Sequence, residues 1–275
     1  MSKPAAAADI PQMPATIMPH LALMSRDYGL PPFTDPNVST AFKAALQIIS
    51  QILKVNVPNG YAHGGDDLLV WFRHLGFTTD PAFVQAFERY RDDAVLRARL
   101  WRIYTLCWAA KSCLDIEGDF LDIGCYDGKT VDVMRRYCNF ATASGKLWRL
   151  YDMFDYHPTE SSKQHHGPQL VEQVRAMFAD DPKFRIAKGL VPDTIRADMP
   201  ERIAFAQIDL NAPEAELAAL EAIYDRIVVG GMIVLDDYGF DRYRASYAVE
   251  KRFFESRGAL AYECPTGQGI VIKRR

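Results

Sequence analysis

From about residue 119 onward, short apolar runs alternate with stretches whose apolar residues recur at helical spacing, which predicts strand–helix units in series. The apolar runs stand at 119–125, 147–153, 184–187, 203–210 and 232–235. Helical stretches occupy 128–143, 168–179, 213–228 and 242–257. Pro213 opens the third of these, and Glu214 and Glu216 fall in its first turn, where the helix dipole favours acids. Gly230-Gly231 reads as a turn into the fifth run. Two last runs, 260–263 and 269–273, are joined through Pro265-Thr266-Gly267 and predict an antiparallel hairpin. Five alternating units and a terminal hairpin predict an α/β sheet that is mostly parallel.

The amino-terminal part has another pattern. Residues 1–36 are rich in proline and without periodicity, as in a flexible tail or wrapping segment. Phe42, Ala45, Leu46, Ile48, Ile49 and Leu53 mark a helix over 39–54. Pro58, Gly60, Gly64 and Gly65 then break the pattern, and residues 59–66 read as a connector or a mobile lid. Residues 67–75 and 80–114 read as helical, the second with a break near Asp92-Asp93. The expected organisation is a tail (1–36), a helical cap (37–116) and a ligand-binding domain (117–275).

Composition narrows the classes. With 275 residues, 49% hydrophobic, 24% charged and a net charge of −3, the chain has no basic stripe for nucleic acid. Cys107, Cys113, Cys125, Cys138 and Cys264 are odd in number and show no C-x-x-C spacing, which predicts reduced thiols in a cytoplasmic protein. No apolar run reaches membrane-spanning length. The expected partner is a small molecule or glycan, and a homo-oligomer is compatible with the composition.

The chemistry centres on Gly118 to Thr130, a buried strand, a glycine turn and a helix start. Gly124 and Gly128 permit backbone angles or a close approach that a side chain forbids, and Asp127 is a good helix cap. In an open α/β sheet a ligand binds at the carboxyl ends of the strands, beginning with this turn. A dinucleotide fingerprint needs a middle glycine that is missing here, and a phosphate loop needs one more residue before Gly128-Lys129-Thr130. Asp127 would also repel phosphate. The acidic strand end Asp122 and the acidic turn suit a cationic ligand instead. S-adenosylmethionine, with its sulfonium and ammonium, is such a ligand, and D-x-G-x-x-x-G is similar to the turn of Rossmann-like methyltransferases. A nicotinamide-dependent oxidoreductase and a non-catalytic S-adenosylmethionine-binding protein are the alternative readings.

Each remaining strand end carries an acid. Asp152, after the second strand, stands where a ribose diol is usually held, with Asp155 as competitor. Asp209 would lie beside Asp236 and Asp237 if the fourth and fifth strands are neighbours. Three crowded carboxylates repel unless protonated or neutralised, and an all-oxygen set suits magnesium rather than zinc. The alternative is that Asp236 or Asp237 caps the following turn. The loop from Tyr156 to Gly167, with His157, His165 and His166, is polar enough for a lid.

These residues together resemble the macrocin-type O-methyltransferases, which act on sugar hydroxyls of macrolides and related natural products. The resemblance runs from Gly118 to the C-terminus on Gly118-Asp119-Phe120, Asp152-Met153-Phe154, Gly189-Leu190-Val191-Pro192-Asp193-Thr194 and Gly230-Gly231-Met232-Ile233-Val234-Leu235-Asp236-Asp237-Tyr238-Gly239. It implies a seven-stranded class I sheet with one antiparallel strand, preceded by helices. It also implies a cofactor site at Asp122, Gly124, Tyr126, Asp127, Gly128, Thr130, Asp152, Met153, Gly189, Leu190 and Asp209. Magnesium would be held by Asp209, Asp236 and Asp237, with Asp209 and Asp236 catalytic. The chain departs from the family in having Asp122 where Glu is usual, Cys125-Tyr126-Asp127-Gly128-Lys129 in the turn, and Asn211-Ala212-Pro213 after Asp209. No histidine follows His166, which excludes a catalytic histidine in the C-terminal part.

Overall fold

The structure is a computed structural model that describes residues 36–56, 62–65, 68–143, 145–155, 167 and 169–275. The expected tail, except Pro36, and the histidine-bearing loop, except Gly167, lie outside the described residues. The chain forms two compact units, divided between Ala98 and Arg99.

The first unit opens with α1 (Pro36–Asn56), as the apolar spacing predicts. It continues with β1 (Ala62–Gly65), β2 (Leu68–Trp71), α2 (Gly76–Thr79), α3 (Pro81–Phe87) and α4 (Ala94–Ala98). β1 and β2 pair antiparallel, so the helix expected over 67–75 is a strand that ends at Trp71, and the single helical turn α2 begins only after it. The run Leu68-Leu69-Val70-Trp71 is too short to set a helical period, and its pairing with Ala62–Gly65 decides the outcome. Asp80 caps α3 by accepting from the Ala82 and Phe83 amides, with Pro81 at the first helical position. Asp93 does the same for Val95 and Leu96, which gives the expected break near Asp92-Asp93 its cause.

The second unit is a seven-stranded sheet with helices on both faces. Its elements are α5 (Leu100–Ser112), β3 (Asp119–Ile123), α6 (Lys129–Cys138), β4 (Trp148–Asp152), α7 (Leu170–Met177), β5 (Phe184–Lys188), α8 (Asp193–Ala197), β6 (Ile203–Ile208), α9 (Pro213–Ile223), β7 (Ile227–Leu235), α10 (Arg244–Glu255), β8 (Ala261–Glu263) and β9 (Gly269–Ile272). The strand order is β5-β4-β3-β6-β7-β9-β8. The first five are parallel, and β9 runs antiparallel to both β7 and β8, as the terminal hairpin predicts. By its contacts α5 belongs to this unit, although the sequence grouped it with the preceding helices.

Alternation along the strands sorts the core into two faces. Phe120, Trp148 and Phe205 point to one face, where they pack with Phe140 and Phe184. Leu121, Ile123, Tyr151, Ala206 and Ile208 point to the other, beside Ile195 of α8, Leu220 of α9 and Phe253 and Phe254 of α10. Gly230 and Gly231 lie inside β7 rather than in a turn before it. Pairing jumps from Ile203↔Ile227 to Phe205↔Met232, so the two glycines form part of a bulge. Gly230 takes φ +87°, and a side chain at Gly231 would press on the carbonyl oxygens of Ala204 and Val228.

Candidate active site at the carboxyl rim

The rim begins where β3 ends. The Gly124 amide donates to the Tyr151 carbonyl at 2.7 Å, and the Asp209 amide donates to the Ile123 carbonyl at 2.8 Å. This pulls the turns after β3 and β6 together. A Cβ on Gly124, whose φ is +96°, would overlap the Asp209 carbonyl. Gly124 is therefore required by the neighbouring strand end. Gly128 takes φ +72°, and a Cβ there would come within 3.1 Å of the Phe178 ring. Asp127 caps α6 through the Lys129 amide at 3.1 Å and pairs with the Lys129 ammonium at 3.0 Å, although Gly128 occupies the cap position itself. Thr130 is half-buried in the first turn of α6.

Asp152 ties three turns together. Its carboxylate accepts from the Tyr126 amide at 2.8 Å and the Phe154 amide at 2.7 Å, and its carbonyl accepts from the Gly189 amide at 2.9 Å. Tyr126, Phe154 and Asn211, in the turns after β3, β4 and β6, all have left-handed backbones, with φ of +48°, +49° and +56°. Such strain in non-glycine residues is costly and gathers at functional sites. Asp155 points outward and pairs with Lys188 at 3.6 Å. Met153 is half-buried and Leu190 exposed, while Gly189 takes φ +147° beside Thr194.

Asp122 is buried one residue before the end of β3. Burial, reinforced by Asp236 and Asp152, holds its carboxyl well above the usual range. Burial thus favours the neutral carboxyl at this strand end, against the carboxylate from which the sequence predicts a cationic ligand.

Asp209, Asp236 and Asp237 converge at the ends of β6 and β7, with one oxygen of each within 4.8 Å of the others. Arg102 of α5 reaches into this cluster. Its Nη1 donates to Asp236 Oδ2 at 2.6 Å and to Asp237 Oδ1 at 3.3 Å. Its guanidinium lies over the Phe240 ring, 4.7 Å from the centroid. Gln268 Nε2 donates to Asp236 Oδ1 at 3.2 Å, and Asn211 Nδ2 to Asp209 Oδ1 at 3.0 Å. Burial and the neighbouring acids push Asp209 well up and Asp237 up to about 6, against the opposing pull of Arg99 and Arg102. The all-carboxylate donor set fits a hard divalent ion. Close by, Glu216 Oε1 accepts from the Asn211 amide at 3.1 Å. Glu250 is buried, and its carboxyl is pushed up to about 9 by that burial and by Glu216 and Asp237.

The structure thus gathers Asp152, Tyr126 and Gly189 into one knot, and Asp209, Asp236 and Asp237 into another. The sequence reading did not single out Arg99, Arg102, Gln207, Glu250 and Gln268. A signal existed for the arginines, which stand one helical turn apart at the start of an otherwise apolar helix. A buried arginine needs an acid.

A sheet of this order, with β9 reversed and its glycine turn and acids on one rim, is that of a Rossmann-like class I methyltransferase. The chain belongs to the macrocin-O-methyltransferase (TylF) family, whose model matches residues 94–258. It is 26% identical over 168 residues to the 8-demethyl-8-(2,3-dimethoxy-alpha-L-rhamnosyl)-tetracenomycin-C 4'-O-methyltransferase of Streptomyces olivaceus. That match covers 52% of this chain and 64% of the relative, just under two thirds of its length. Among solved structures, the calicheamicin methyltransferase CalS11 aligns at a TM-score of 0.56 and 15% identity, over 71% of this chain and 88% of that one. The methyltransferase PaMTH1 of Podospora anserina, bound to SAH, aligns at 0.52 and 12% identity, over 90% of this chain and 100% of that one. Both share the fold.

Proposed function

We propose that this chain transfers the methyl group of S-adenosylmethionine to a sugar hydroxyl of a natural product. The observation that carries the reading is the pairing, on one rim of this family's sheet, of the Asp152-centred knot with the three-carboxylate cluster. The relative's name, a methyltransferase acting on a rhamnosyl group, supports a sugar acceptor.

Asp122, Gly124, Tyr126, Asp127, Gly128 and Thr130 frame the methionine end of the cofactor, and Met153, Gly189, Leu190 and Asp209 complete the cradle. Asp152 keeps a second acceptor site on each oxygen after its two backbone bonds, enough to receive a ribose diol. The bound cofactor supplies a methyl group already activated by its sulfonium. The chain's remaining tasks are to orient the acceptor hydroxyl and take up its proton. Asp209 suits the second task, because burial and its acidic neighbours raise its proton affinity. Asp236, held between Arg102 and Gln268, keeps the cluster in place. Asp209, Asp236 and Asp237 would hold magnesium, which would lower the pKa of the hydroxyl.

The test is calorimetric titration with S-adenosylmethionine and with NAD, followed by mass spectrometry of glycoside acceptors incubated with enzyme and cofactor. Gain of one methyl group, strongly reduced in Asp209→Asn, is expected. Binding of NAD in preference to S-adenosylmethionine would overturn the reading.

A further inference from the structure

We propose that Arg102 is a built-in counter-ion seated where a divalent cation would sit, so that a metal ion must displace the guanidinium to bind. The inference rests on the magnesium reading above and adds to it a competitor from the chain itself.

One nitrogen of Arg102 bridges the carboxylates of two consecutive residues, Asp236 and Asp237, the same pair that a metal ion at this cluster would draw together. The guanidinium is held from outside the cluster as well. It rests on Phe240, and α5 carries it from a buried position, with only 7% of the side chain exposed. Charge balance favours exchange over addition. With all three carboxylates ionised, as a bound cation requires, they leave one negative charge uncompensated by Arg99 and Arg102. A divalent ion added to all of them overshoots, whereas release of Arg102 balances the set. A buried guanidinium between two carboxylates is therefore incompatible with a cation on the same oxygens, since like charges at short range in a poorly solvated place repel strongly. Arg102 is thus a positioning residue. It maintains the shape of the cluster before metal arrives and sets how tightly metal is held.

The experiment titrates the purified full-length protein with Mn2+ by electron paramagnetic resonance, with thermal melting recorded in parallel. Arg102→Met should bind Mn2+ more tightly than wild type by about tenfold or more, because the competing charge is gone. Without metal its melting temperature should fall, and Mn2+ should restore it, while wild type responds little. Equal or weaker Mn2+ binding by folded Arg102→Met would overturn the proposal and leave the metal site standing. Absence of Mn2+ binding in both proteins would remove the metal site itself, and the competition with it. If Arg102→Met does not fold even with Mn2+, Arg102→Gln decides. Glutamine removes the charge but can still donate to a carboxylate, so tighter Mn2+ binding than wild type supports the proposal, and equal or weaker binding overturns it.

Discussion

Asp122 and Gln207 are direct partners across the β3–β6 pairing, and each holds a buried side-chain oxygen, Oδ2 and Oε1, with no donor among the described residues. Their side chains share one face of the sheet, and paired strands lie about 5 Å apart. Two orphaned acceptors side by side are costly unless one becomes a donor. The raised proton affinity of Asp122 allows this, since a protonated carboxyl can donate. Asp122→Asn supplies a permanent donor of the same shape. It should melt at or above the wild-type temperature near neutral pH, and calorimetry should show S-adenosylmethionine affinity within about threefold of wild type. Unchanged stability with a large loss of affinity would show that the carboxylate form meets the ligand.

Gly124→Ala should destabilise the fold before it affects any ligand. The added methyl group would collide with the Asp209 carbonyl in a backbone conformation that disfavours side chains. A loss of about 3 kcal/mol or more is expected by denaturant unfolding, because rigid backbone cannot yield as a flexible side chain can. A wild-type unfolding midpoint would refute the close approach of these two turns.

Asp152 and Asp155 can be separated by substitution. Asp152→Asn leaves one acceptor oxygen where two now serve backbone amides, so either the Tyr126 or the Phe154 amide loses its partner, as would a ribose diol held there. Cofactor affinity should drop about tenfold or more, the usual effect of losing a charge-assisted bond. Asp155→Ala removes an exposed pair with Lys188 and should change affinity little. The reverse ranking in a titration would move the ribose site to Asp155.

Glu250 makes stability depend on pH in a defined direction. Its carboxyl is raised from 4.5 to about 9, so between those values the folded state holds a proton that the unfolded state has released. Its contribution is complete below pH 4.5 and is lost as pH rises towards 9. Glu250→Gln mimics the protonated acid and should match wild type near pH 5. At pH 9 it should be the more stable protein, by an amount on the order of a few kcal/mol. Parallel unfolding curves for the two proteins at pH 5, 7 and 9 would show that Glu250 is not the source.

Much of the second unit is legible in the sequence because its strands are short apolar runs separated by full helical periods. The reversed hairpin is visible in Pro265-Thr266-Gly267, and the gathering of Asp209 with Asp236 and Asp237 follows from neighbouring strand ends. Other features depend on partners distant in the chain. Leu68–Trp71 becomes a strand only because Ala62–Gly65 lies beside it. Gly230-Gly231 reads as a turn because nothing local shows that β7 begins earlier and bulges against β6. Arg102 lies 134 positions from Asp236, and no local pattern couples them. Helix α8, in the connection between β5 and β6, is too short for periodicity to signal.

The position of α5 sets a limit on grafting this site elsewhere. The acids come from β6 and β7, but the positive charges that let them crowd come from Arg99 and Arg102, more than a hundred positions earlier. A piece beginning at β3 would carry the Asp152-centred knot and all three acids and still lack those arginines. Anyone transplanting the rim to a new scaffold must bring this helix along or supply equivalent positive charge. The smallest portable version of the site therefore begins upstream of Arg99, not at β3.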